Sequence, residues 1–373
     1  MGVAFVAGAL ANKPNSGGEA WVRLSWALGL QRLGWEVHLV ERLPGESAEG
    51  RAFFEAVAAE FDLEGRASLL DVEGAALCGH GERELTAMAA DADLLFNISG
   101  HLGQGPLLAA PRRRVYVDLD PGFTQAWHAD PGLEFTVAGH DRHLTVGQNV
   151  GRPGCPVPVG AIEWIPTLPP VLLEEWPATP QPEGVPVFTT VATWRSPYGG
   201  LRIGGREMGL KHHQFRRFAA LPERVEGVEF ELALDIHPGD AADRELLRSH
   251  GWRLIDPRTA AGTPGAFREY LRGSAAEFSV AQGVYIEAAT GWFSDRTAAY
   301  LSSGRPAVVQ DTGLGGPVSP GLLAFESLEA AVAAVEDVRD GYEERAAAAR
   351  AFAEGHLDSD RVLDRVLDLV GAG

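Results

Sequence analysis

Three groups of side chains in this sequence have types and spacings that can do chemistry. The first is acidic or imidazole and follows apolar runs. Residues 94–98 are apolar but for Asn97 and lead into Ser99-Gly100-His101, and residues 115–117 lead into Asp118-Leu119-Asp120-Pro121-Gly122. A His or Asp held in a cleft can take a proton from a hydroxyl, so His101 and Asp120 are the two candidate bases. Asp118 and Asp120 alternate, and alternate residues of a strand share a face, so both could grip one cation. Pro121-Gly122 directly after them favours a plain turn instead, and no metal site is assigned.

The second group is cationic. Arg195 follows the run 187–191, and Lys211 stands before His212 and His213. A guanidinium fork and an ammonium point charge can hold one anion between them, although a solvated basic helix start is the plainer reading. Lysine occurs only at Lys13 and Lys211 in an arginine-biased chain, which singles Lys211 out. The third group is Ser294, Asp295 and Arg296. Ser294 or Asp295 can cap a helix whose free N–H groups and dipole make an anion site. A cation at Arg296 opposes that dipole, which implies a bound anion or pairing with Asp295.

The elements that must position these groups alternate. Residues 3–7 read as a strand, 8–18 as a polar Gly-rich loop, 19–33 as an amphipathic helix and 37–40 as the next strand. This is a βαβ opening, but without a clean G-x-G-x-x-G. Strands are expected at 67–72, 94–98 and 115–117, with helices at 53–61 and 82–91. A second series follows, with strands at 187–191, 230–234, 252–255, 278–280 and 307–309. The proline-rich stretch 166–186 separates the two. Parallel sheets of this kind present ligands at the carboxyl ends of their strands. The expectation is an α/β chain of two Rossmann-like, doubly wound domains, 1–170 and 171–373, facing across a cleft.

The segment 291–313, GWFSDRTAAYLSSGRPAVVQDTG, is a loop, a capped helix, a Gly304-Arg305-Pro306 turn and a buried strand ending in Gln310-Asp311. It resembles the sugar-nucleotide half of GT-B glycosyltransferases, in which such a helix start faces the donor diphosphate. The resemblance implies that Gln310 and Asp311 meet the donor sugar. It implies that Arg195, Lys211, Ser294, Asp295 and Arg296 hold the diphosphate, and that the last helix crosses back onto the first domain. It departs in two places. Ala299 stands where many members carry a ribose-binding Glu, and Gly291-Trp292-Phe293 replaces a His-Gly-Gly loop.

Composition sets the remaining bounds. A net charge of −19 argues against a nucleic-acid or anionic-membrane partner. Cys78 and Cys155 form neither metal spacing nor a disulfide framework, and no leader or membrane-spanning run is evident, so a cytoplasmic protein is expected. The expected function is metal-independent transfer of a sugar from a nucleotide-sugar donor to a small-molecule acceptor, with the donor as co-substrate and no cofactor. The alternatives are a GT-B-fold sugar-nucleotide epimerase and a catalytically inactive partner protein.

Overall fold

The computed structural model describes residues 2–372 except 134, 136, 197 and 315–318. Val3–Ala7 (β1), Glu36–Arg42 (β2), Ala67–Leu70 (β3), Ala76–Cys78 (β4), Leu94–Ile98 (β5), Arg114–Asp118 (β6), Arg142–Thr145 (β7) and Trp164–Pro166 (β8) form one sheet. Its order is β4-β3-β2-β1-β5-β6-β7-β8, parallel except for β3 against β4. The near-continuous apolar runs of β1 and β5 suit strands covered on both faces. The strand expected at 67–72 stops at Leu70, because the Asp71 carboxylate accepts from the amides of Glu73 and Ala75 and closes a turn.

Val187–Thr193 (β9) opens a second sheet, and Leu201–Ile203 (β10) with Arg206–Met208 (β11) makes a separate hairpin. Glu229–Asp235 (β12), Arg253–Ile255 (β13), Ala276–Ser279 (β14), Ala307–Gln310 (β15) and Leu322–Phe325 (β16) complete the sheet. Its order is β13-β12-β9-β14-β15-β16, parallel throughout. In each sheet the strand order reverses at one point, between β1 and β5 and between β9 and β14. Crevices outside the carboxyl ends at such points are where ligands bind.

The two halves touch through the helix Gly17–Arg32. Its Trp21 packs edge-on against Phe61 and Trp176, and the Trp21 indole donates to the carbonyl of Pro264 at 2.9 Å. Gly17 lies so close to Thr263 that a Cβ there would sit 2.0 Å from its carbonyl oxygen. The final helix, Ser359–Val370, packs on the other end of Gly17–Arg32, with Arg32 paired to Asp360 at 3.0 Å. Among the described residues, no helix is long and apolar enough to cross a membrane.

Candidate functional site

A cleft of ≈ 560 Å³ opens between the carboxyl ends of the two sheets. Its first wall begins with the loop after β1. The buried Glu41, on β2, shapes that loop by accepting from the amides of Leu10, Ala11 and Asn12 at 2.6–2.8 Å. The loop thereby delivers Lys13 to the cleft, and the helix behind it delivers Glu19 and Arg23 one turn apart. Lys13 pairs with Glu19 at 2.8 Å, and Arg23 pairs with the other Glu19 oxygen. Burial pulls the Glu19 carboxyl upward, but Arg23 and Lys13 overcome it and hold the group at about 2.

Asp120 completes this wall at the end of β6. Its Oδ1 accepts from the Tyr285 hydroxyl at 2.9 Å, so a phenol of the second half reaches a carboxylate of the first. Burial raises the Asp120 pKa, opposed by Lys13 and by the Tyr285 bond. Asp118 does not share the cleft. Its oxygens accept from the Asp120 amide, Thr124, Gln125 and Thr145 at 2.6–2.9 Å, and the residue is fully buried. The two carboxylates therefore do not present one face to a cation.

The second wall carries Lys211 and the start of the helix Asp295–Ser302. Ser294 is the N-cap, its hydroxyl accepting from the Arg296 amide at 3.2 Å. Among the described residues the Lys211 ammonium has no hydrogen bond or ion pair. Burial, with Arg296 adding to it, lowers its pKa to about 7. Asp295 neither caps the helix nor pairs with Arg296. Its carboxyl lines the cleft without a side-chain partner among the described residues, and burial pushes it up to about 7. Arg296 pairs with Glu277 instead, at 2.7 Å.

Other expected site residues lie elsewhere. Arg195 does not line the cleft, and its guanidinium is bound by Asp240 at 2.5–2.8 Å. His101 also stands off the cleft lining, and burial with the nearby Arg23 and Lys13 lowers it to about 4, so it is neutral at pH 7. Gln310 is buried and bonded to the Ala281 amide and to Gln214, beside a separate small void. Asp311 accepts from the amides of Gly313 and Leu314 and closes its own turn.

The sequence reading missed Lys13, Glu19 and Arg23 as a cleft group. A signal existed: both lysines of the chain line this one cleft. The Glu19/Arg23 spacing of four residues also places them on one helix face.

No family model matches the sequence, and no curated protein matches it. Solved structures do match in shape. An α-glucosyltransferase in complex with UDP matches over 100% of both chains at 12% identity, with a TM-score of 0.63. Anabaena Alr3699/HepE in complex with UDP-glucose matches over 100% of both chains at 12% identity, with a TM-score of 0.57. TarM matches over 99% of both chains at 8% identity, with a TM-score of 0.61. The chain has the GT-B fold, as the sequence predicts. One expectation is overturned. The α-glucosyltransferase is also seen in complex with DNA, so the exclusion of nucleic acid drawn from net charge does not stand. Net charge sums the whole surface, whereas a partner meets a local field.

Proposed function

We propose that this chain is a glycosyltransferase that moves a sugar from a nucleotide diphosphate donor of the UDP-glucose type onto a hydroxyl of an acceptor. The observation that carries the reading is Lys211: a cation without a partner among the described residues, in a GT-B cleft, on the same wall as the start of the helix Asp295–Ser302. Charge and helix-start N–H groups together suit a diphosphate. In transfer, the acceptor oxygen bonds to the anomeric carbon while the bond from that carbon to the diphosphate oxygen breaks. The electron pair leaves on the diphosphate, where Lys211 and the helix start offset the new charge.

Asp120 is the proposed acceptor of the hydroxyl proton, with Tyr285 fixing one of its oxygens. Lys211 and the helix start take the role a metal would otherwise have at the diphosphate, so metal-independent transfer is proposed, with the donor as co-substrate and no further cofactor. The acceptor carries a free hydroxyl. A small polyol meets that requirement, and so does a hydroxyl-bearing nucleic acid, given that the α-glucosyltransferase of similar fold is seen with DNA. The test is a thermal-shift panel of nucleoside diphosphates and their sugars, followed by release of UDP from UDP-glucose. A raised midpoint with UDP and steady UDP release support the reading. A midpoint unmoved by every nucleoside diphosphate overturns it.

A further inference from the structure

Asn149 belongs to the first half, shortly after β7, yet its side chain serves the second. Its amide nitrogen donates to the carbonyl of Ala289 at 3.0 Å and to that of Gly313 at 2.5 Å. An amide side chain has two N–H donors, and both are spent here on the other half. The backbone beside it is engaged in the same way. The amides of Gln148 and Asn149 donate to the carbonyls of Gly291 and Thr290 at 3.1 and 3.0 Å, and the Phe293 amide returns a bond to the Val146 carbonyl at 3.3 Å. Gly147 and Trp292 thereby form an antiparallel bridge between the halves.

Residues 289–293 are the joint between two parts of the candidate site. Before them runs the helix Gly283–Glu287, whose Tyr285 hydroxyl holds Asp120. After them comes Ser294, the cap of the helix start that lines the cleft. The joint is strained. Ala289 has a φ of 46°, a left-handed conformation that crowds a Cβ against the backbone and that glycine adopts far more readily. Such a conformation persists only where its surroundings over-determine it. One of the two carbonyls that Asn149 grips is that of Ala289 itself.

We propose that Asn149 is a positioning residue: its amide straps Ala289 in the left-handed conformation and so fixes the joint that sets the Ser294 helix start against the cleft. This rests on the glycosyltransferase reading and adds a regulating contact to it. The first half shapes the anion site of the second through a residue outside the cleft lining.

UDP is titrated calorimetrically into the parent, Asn149→Ala, Ala289→Gly and the double variant, and a urea midpoint is recorded for each. Asn149→Ala keeps the backbone bonds between the two segments, so the halves should stay docked. Its UDP affinity should fall about five- to fiftyfold, within the worth of two neutral hydrogen bonds. Ala289→Gly alone should stay within about twofold of the parent, since glycine accepts the same φ. In the double variant glycine takes the positive φ without the strap, so affinity should return to within about threefold of the parent. A merely structural Asn149 would lower the urea midpoint and leave UDP affinity parental. That result overturns the proposal, as does a double variant that binds as weakly as Asn149→Ala. Hydrogen exchange over 286–300 gives a readout that needs no ligand. Asn149→Ala should lose protection there while β5 stays as slow as in the parent, and the double variant should regain it. Unchanged exchange in Asn149→Ala overturns the strap. If the parent binds no UDP, the donor reading fails, and hydrogen exchange in the same variants still decides the strap.

Discussion

The Arg296 guanidinium is bound by the Glu277 carboxylate at 2.7 Å, inside the second half, and Glu277 has no exposed surface. Arg296 also donates to the carbonyl of Val191 at 2.8 Å and to the Ser279 hydroxyl. A cation in the first turn of a helix opposes the dipole, and here a buried anion beneath the helix, not a ligand above it, answers that charge.

Arg296 is therefore expected to serve stability more than donor binding. Arg296→Met leaves Glu277 buried and unpaired, a loss of roughly 3–5 kcal/mol for a broken buried pair. Urea unfolding should show it, while UDP affinity in the fraction that remains folded stays within about threefold of the parent. A hundredfold loss of UDP affinity at unchanged stability would instead place Arg296 on the diphosphate.

Lys211 and Arg195 should behave differently from each other. Lys211 lines the cleft and is free among the described residues, whereas Arg195 is held by Asp240 and is outside the cleft lining. Lys211→Met should weaken UDP binding roughly ten- to hundredfold at pH 6.5, and Arg195→Ala by no more than about twofold. The pH dependence follows from burial. The Lys211 pKa is about 7, so the ammonium is the main form below pH 7 and is lost above it. An anion binds the charged form, so parental affinity should fall as pH rises from 7 to 9. Asp295 ionises near the same pH and adds repulsion in the same direction, so Lys211→Met should keep a shallower decline. A flat parental profile removes Lys211 from the site.

The backbone was more legible than the side chains. The Gly304-Arg305-Pro306 turn can be read locally, since Gly304 needs its φ of 68° and Pro306 ends the helix. The strand runs and the two series were legible for the same reason: period and punctuation are local. Arg195 and Arg296 were not, because the carboxylates that claim them are Asp240 and Glu277, brought near only by the sheet. Arg305 shows the same limit. It reads as a turn residue, yet it is buried and donates to the carbonyls of Thr179, Pro180 and Arg272.

Contact between the halves at Gly17 gives a third prediction. A Cβ there would lie 2.0 Å from the Thr263 carbonyl oxygen and 2.8 Å from the Phe267 Cβ, so backbone must move. Gly17→Ala should cost about 1–3 kcal/mol, the usual penalty for overpacking, and should weaken UDP binding by shifting one cleft wall. Gly45 is exposed, meets nothing within 4 Å and has ordinary φ, so Gly45→Ala is the neutral control. Equal stability of the two variants in urea would show that the Gly17 contact opens without cost.

The last prediction concerns proton transfer and metal. Asp118 spends both oxygens inside the fold on Thr124, Gln125, Thr145 and the Asp120 amide. Asp120 gives one oxygen to Tyr285, and no bond is formed by the other among the described residues. One free carboxylate oxygen suits a proton acceptor and is a poor grip for a divalent cation, which takes several oxygen ligands. Asp120→Asn keeps the shape and an oxygen for the Tyr285 hydroxyl but cannot take up the proton. Turnover should fall by about a hundredfold or more, the usual range for a lost general base, with UDP affinity unchanged. Chelation by EDTA should leave parental turnover as it was. Turnover that disappears in EDTA and returns with manganese would make Asp120 a metal ligand, and Asp118 would then have to release its four internal bonds to join it.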